Sequence, residues 1–225
     1  EIMNTTENRA VLHHMTRDLE KDSFYIQEWE RVKSFAAAVH SHEILSCSGE
    51  PIEAVVQIGI GGSELGPQAI YTGLRNYVAH QEEILDAYFV SNVDPDHLKG
   101  VLNHVSLSKT LFIVVSKSGS TQETQTNLSL LCHYAKEQGL EEFEKQIVVV
   151  TGKGSVLDDP TKFLNVFYMD DAIGGRFSST SVVGTTLLAL TLGESHIDAF
   201  LKGAHTMDVC AQESDPQRNM ALMAA

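Results

Sequence analysis

The run Ser116-Lys117-Ser118-Gly119-Ser120-Thr121-Gln122-Glu123-Thr124 directly follows the apolar stretch Leu111-Phe112-Ile113-Val114-Val115. Five hydroxyl side chains, a lysine and a glycine thus surround the expected start of a helix. A phosphate monoester needs several donors, and a helix dipole favours its negative charge by ~0.3–1 kcal/mol. Hydrogen bonds to a charged oxygen contribute about 1.5–3 kcal/mol each. Ser116, Ser118 and Thr121 are therefore candidates to hold a dianion. The competing reading is a Ser/Thr-rich helix cap. For Glu123 that reading suffices, because Ser120 and Glu123 have capping-box spacing.

A second strand end reads Gly59-Ile60-Gly61-Gly62-Ser63-Glu64-Leu65-Gly66-Pro67. Glycines after a buried strand let the backbone approach a ligand, and a following helix offers unpaired N–H groups. A tight turn that uses glycine for packing fits equally well. Glu64 stands where a dinucleotide fingerprint needs its third glycine, and Pro67 stands where a Walker loop needs lysine, so both nucleotide motifs fail. A third segment, Gly174-Gly175-Arg176-Phe177-Ser178-Ser179-Thr180-Ser181, sets an arginine between a diglycine and a hydroxyl-rich helix start. Arg176 suits a developing oxyanion. It suits equally a surface ion pair with Asp170 or Asp171.

The elements that must carry these segments are legible as blocks. Short β-branched runs at 54–60, 87–90, 111–115 and 147–150, with a weaker one at 166–169, suit strands buried on both faces of a parallel sheet. Between them lie helical stretches. Pro67 and Pro95 each fit a first helical position, the latter behind Asp94 as N-cap. The alternation predicts an α/β, doubly wound, mainly parallel sheet whose ligands sit at the carboxyl ends of its strands. Upstream, Asn4 and Glu7 have capping-box spacing before a helix carrying Ala10-Val11-Leu12 and Met15. A second helix is predicted from about Asp22, with Trp29, Val32, Phe35 and Ala38 on one stripe. Turn residues at 46–51 mark a break. The expected organisation is an N-terminal helical segment over 1–48, an α/β domain over 49–193, and the helical start of a following region over 194–225.

Composition narrows the partners. The 225 residues are 43% hydrophobic and carry a formal net charge of −14. So acidic a surface repels nucleic acid and anionic lipid, and makes any anion site a local matter. The 3 cysteines form no CxxC pair, which fits reduced thiols rather than a disulfide framework or zinc site. The 10 histidines show no ligand pattern, and His13-His14 reads as structural. The longest apolar run, Val182 to Leu192, is too short to span a bilayer and is broken by glycine and threonine.

Five motifs together resemble the phosphoglucose isomerase family. Asn4 to His13 is similar to its N-x-T-E-x-R-A-V-L-H stretch, and Gly59 to Pro67 to its G-I-G-G-S-x-L-G-P. Phe89 to Asp94 resembles its next strand end. Ser116 to Thr124 stands at its S-K-T-F-T-T-Q-E-T, with Ser118-Gly119-Ser120 in place of Thr-Phe-Thr. Gly174 to Ser178 matches its G-G-R-[YF]-S, with Ser179-Thr180 replacing Leu-Trp. Asn219 to Ala225 resembles the start of a later helix. The resemblance implies a flavodoxin-like sugar-isomerase (SIS) domain with flanking helices. It implies a parent enzyme of glycolysis and gluconeogenesis that interconverts glucose 6-phosphate and fructose 6-phosphate through an enediol. That parent would be a cytoplasmic homodimer using neither cofactor nor metal. By motif position Ser116, Lys117, Ser118 and Thr121 would bind phosphate, Gly62 and Ser63 would line the sugar, and Arg176 would stabilise the enediolate. A non-catalytic SIS-domain sensor and a dual-specificity glucose/mannose phosphate isomerase are the alternatives. The chain opens on Glu1-Ile2 and ends in strong helix formers, so it reads as an internal piece. The family's catalytic Glu, ring-opening His and late Lys belong to segments after Ala225, so the piece is expected to lack its general base and to be inactive alone.

Overall fold

The structure is a computed structural model and describes residues 3–6, 8–79 and 85–224. Five strands form one sheet: β1 (Ala54–Ile58), β2 (Asp86–Val90), β3 (Thr110–Ser116), β4 (Ile147–Gly152) and β5 (Asn165–Met169). Their order is 2-1-3-4-5, and every neighbouring pair is parallel. Helices α1 (Phe24–His40), α2 (Leu65–Ala79), α5 (Val182–Leu192) and α6 (Glu194–Cys210) cover one face. Helices α3 (Pro95–Leu102) and α4 (Gln122–Glu137) cover the other. A short α7 (Met220–Ala224) follows.

Two cores explain why the strands read as unbroken apolar runs. On β3, Leu111, Ile113 and Val115 face the layer of α1 and α5, while Phe112 and Val114 face α3 and α4. The period of two is still present, but both faces are buried. The edge strand β5 is capped by side chains rather than by a sixth strand. Glu28 accepts from the Tyr168 N–H at 2.8 Å, and Arg31 donates to the Val166 carbonyl at 2.9 Å. These bonds satisfy an edge that would otherwise template pairing with another chain.

Several local expectations need correction. Residues 3–4 and 9–10 form a two-residue antiparallel ladder, followed by a single 3-10 turn at His13–Thr16. The expected helix is absent there, because the Asn4 side chain accepts from the Thr6 N–H at 3.0 Å and favours a turn. Its supposed cap partner Glu7 lies outside the described residues. Pro67 is the third residue of α2 rather than the first. Pro95 does open α3, with the Asp94 carboxylate accepting from Asp96 and His97 N–H groups. The Ser120–Glu123 capping box does not form. Thr121 is the N-cap, with no side-chain cap bond, and the Ser120 hydroxyl donates to Ser118 Oγ at 2.9 Å. No helix among the described residues is long and apolar enough to cross a membrane.

Candidate active site

The carboxyl ends of β1, β3, β4 and β5 open into one cleft of about 830 Å³. Its floor is the turn from β3 into α4. Ser116, 3% exposed, donates its hydroxyl to Thr121 Oγ1 at 3.0 Å. Gly119 takes φ +68°, a left-handed turn that glycine adopts without strain, and an added Cβ would lie 2.9 Å from Leu157 N. Thr124 sits one turn into α4, 1% exposed, lining the cleft with a hydroxyl that has no hydrogen-bond partner among the described residues. A buried hydroxyl left unpaired costs stability unless something enters to meet it. The first N–H groups of α4 also lack a side-chain cap. Bond donors and a helix dipole thus converge on one spot.

Lys117 leaves this loop in another direction. Its ammonium donates to the Asp171 carbonyl at 2.6 Å and to the Ile173 carbonyl at 3.2 Å, and stands 3.3 Å from the Asp171 carboxylate. It therefore ties the β3 end to the segment after β5. That segment is held from its other side as well. Asp170 accepts from the Tyr25 hydroxyl at 2.9 Å and from the Ala172 N–H at 2.7 Å. Burial, together with the Asp170 carboxylate, pushes the Tyr25 hydroxyl well above its ordinary pKa, so it remains a donor.

The β1 turn forms the adjoining wall. Gln57, inside β1, donates to the Ser63 carbonyl at 2.6 Å and fixes the turn. Ser63 lines the cleft. Gly62, its neighbour, lies outside the lining but against the third segment: an added Cβ would fall 2.2 Å from Gly175 C. Ser178 reinforces this contact, donating to Gly62 O at 3.2 Å. His13 accepts from the Gly174 N–H at 3.1 Å and packs on Phe177 with ring centroids 4.8 Å apart. Arg176 is thus placed by contacts to its neighbours on both sides. Its own side chain is exposed, lies outside the cleft lining, and forms no ion pair among the described residues. The surface pairing with Asp170 or Asp171 does not form; those carboxylates meet Tyr25, Ala172 and Lys117 instead.

Of the residues singled out from sequence, the fold brings Ser63, Ser116, Lys117, Ser118 and Thr121 to the cleft and leaves Gly62 and Arg176 just outside it. It adds Arg9, Thr124 and Lys153. Thr124 was within the hydroxyl run, and Lys153 stands between two glycines at a strand end, a signal that sequence reading can use. Arg9 comes from the two-stranded ladder, and no local pattern reveals that it folds back over the cleft.

Beside the cleft, Glu64 is 2% exposed. Burial pushes its carboxyl above the ordinary value of 4.5, and the nearby His97 offsets part of that rise. The native state therefore holds this proton more tightly than the unfolded chain. Its contribution is full below about 4.5 and is lost as pH climbs through the raised native value. Glu64→Gln is expected to melt higher than the unmodified chain at pH 8, with the gap closing toward pH 4.5. Equal melting temperatures at pH 8 would refute this.

The phosphoglucose isomerase family model matches residues 1–225, the whole chain. The chain belongs to the phosphoglucose isomerase family. A glucose-6-phosphate isomerase of Borreliella afzelii is 43% identical over 238 aligned residues, covering 100% of this chain and 45% of the relative. One of Treponema denticola is 44% identical, covering 100% of this chain and 44% of the relative. The crystal structure of a glucose-6-phosphate isomerase from Chlamydia trachomatis superposes with a TM-score of 0.83 at 35% identity, over 97% of this chain and 42% of that one. The chain therefore spans less than half the length of these relatives. The parallel sheet with helices on both faces is the phosphoglucose isomerase fold of that region.

Proposed function

We propose that this chain forms the sugar-phosphate-binding half of an active site that interconverts glucose 6-phosphate and fructose 6-phosphate. The observation that carries the reading is the triad of hydroxyls on one cleft floor. Ser116, at the end of β3, lies 3.0 Å from Thr121 at the uncapped start of α4, and Thr124 is buried one turn on without a hydrogen-bond partner among the described residues. Hydroxyl donors grouped at a helix N-terminus, where N–H groups and the dipole point outward, favour a phosphate dianion. Ser118 stands at the rim, and Lys117 adds positive charge nearby while bracing the loop. Gly62 and Ser63 border the sugar, which extends from the phosphate toward the β1 turn.

The chemistry follows from that placement. Aldose–ketose isomerisation moves a proton between C1 and C2, and negative charge develops on the enediolate oxygens, several bonds from the phosphate. Arg176, unpaired and held beside Gly62, is the cation assigned to that charge. The proton transfer itself needs a general base, a role given to the parent enzyme's remaining length. The parent is taken as a cytoplasmic homodimer working without a cofactor.

The test is calorimetric. Fructose 6-phosphate titrated into the chain should bind, and Thr121→Val should weaken it about 10-fold or more, the loss expected for one hydrogen bond to a charged oxygen. Unchanged affinity would reduce Thr121 to a helix cap.

A further inference from the structure

We infer that Lys153, rather than Lys117, is the side chain that meets the charge of the bound phosphate. The inference rests on the phosphate site proposed above. Lys117 is the cation within the hydroxyl loop, but an ammonium has three N–H donors and three acceptors already surround it. They are the carbonyls of Asp171 and Ile173 and the Asp171 carboxylate, at 2.6, 3.2 and 3.3 Å. To reach a phosphate it would have to abandon all three and release the segment after β5.

Lys153 is differently placed. It lines the same cleft from the turn after β4, is exposed, and has no ion pair or hydrogen bond among the described residues. Its backbone is nevertheless fixed against the phosphate loop. Thr151 donates to the Ser116 carbonyl at 2.6 Å and shares a 2.7 Å bond with the Ser155 hydroxyl. The Gly152 N–H donates to the Lys117 carbonyl at 3.0 Å, and a Cβ on Gly152 would meet that same oxygen at 2.8 Å. The turn and the loop are therefore bonded to each other, with a free ammonium on the turn and, among the described residues, an unpaired Thr124 hydroxyl on the helix. A flexible four-carbon stem on a rigid base can reach an anion entering between them without disturbing any existing bond. The glycines on either side of Lys153 leave that approach open.

The test uses inorganic phosphate and fructose 6-phosphate titrated separately into the chain. Lys153→Met should weaken both ligands about 10–100-fold, the span for one charge-assisted bond, and lessen the sensitivity of binding to salt. Lys153→Arg should restore most of the affinity, because the charge returns. Lysine acetylation read by mass spectrometry gives an independent measure: phosphate should protect Lys153 and leave Lys117 unchanged. Unaltered affinity in Lys153→Met, with binding lost in Thr121→Val, would overturn the inference and leave the phosphate site standing. The inference falls in the same way if Lys117→Met or Arg9→Met takes the loss instead. Failure of the unmodified chain to bind either ligand would overturn both.

Discussion

Arg176→Ala in the full-length enzyme is expected to lower kcat about 10²–10³-fold while KM changes little. The residue stands outside the cleft proposed to receive the phosphate, so its loss should leave ground-state binding nearly intact. On the proposed reading, the substitution removes a donor for charge that exists only once the enediolate forms, a contribution of about 2.7–4 kcal/mol for groups of this kind. Arginine suits the task because it stays charged at any working pH and cannot give its proton to the intermediate. Steady-state kinetics with fructose 6-phosphate decide the matter. A rise in KM alone would move Arg176 into the substrate-binding group. No change in either constant would make it an ordinary surface arginine.

Gly62→Ala should cost both stability and catalysis. Its new methyl would lie 2.2 Å from Gly175 C, 2.3 Å from Gly175 O and 2.7 Å from Arg176 N, all of them backbone atoms that cannot rotate away. Overpacking typically costs about 1–3 kcal/mol, and in a domain of this size each kcal/mol lowers Tm by about 2–4 °C. Relief requires the two turns to move apart, which changes the placement of the arginine that the first experiment removes relative to the β1 turn. Gly73→Ala provides the control. Gly73 lies inside α2 with nothing within 4 Å of an added Cβ, so alanine there should raise stability by roughly 0.5–1 kcal/mol. Equal melting temperatures for Gly62→Ala and the unmodified chain would show that the two turns do not touch.

The strands and the hydroxyl cluster were readable because each depends on local pattern. Continuous apolar runs at 54–60 and 111–115 could hardly be anything but strands buried on both faces, and both appear, ending within two residues of the expected points. The Ser116–Thr121 meeting follows from one tight turn between a strand and a helix. What the sequence did not reveal has two causes, one local and one long-range. Ser120 and Glu123 have the spacing of a capping box, yet Ser118 sits equally near and takes the Ser120 hydroxyl. The partners of Lys117 were equally hidden, because the segment that offers it two carbonyls begins 54 residues later in sequence. The close packing of Gly62 on Gly175 is likewise a contact between distant turns. It answers a question that the β1 turn left open, since one of its glycines is there for packing.

Helix α5 sets the order in which the molecule can be completed. All eleven of its residues, Val182 to Leu192, are buried, and its threonines turn their hydroxyls back to carbonyls of the preceding turn. It fills the layer that Trp29, Val32 and Phe35 of α1 face. His40, at the end of α1, is bonded to the Leu190 carbonyl at 2.8 Å, across 150 residues of sequence. A ribosome makes α1 early and α5 late, so the part of the α1 stripe that packs on α5 waits through the synthesis of the entire sheet before its cover arrives. Contacts of such long sequence separation form slowly, and the interval is one of exposed hydrophobic surface. Chains halted before Leu192 should therefore be clients for chaperones or aggregate, whereas those that pass it can close.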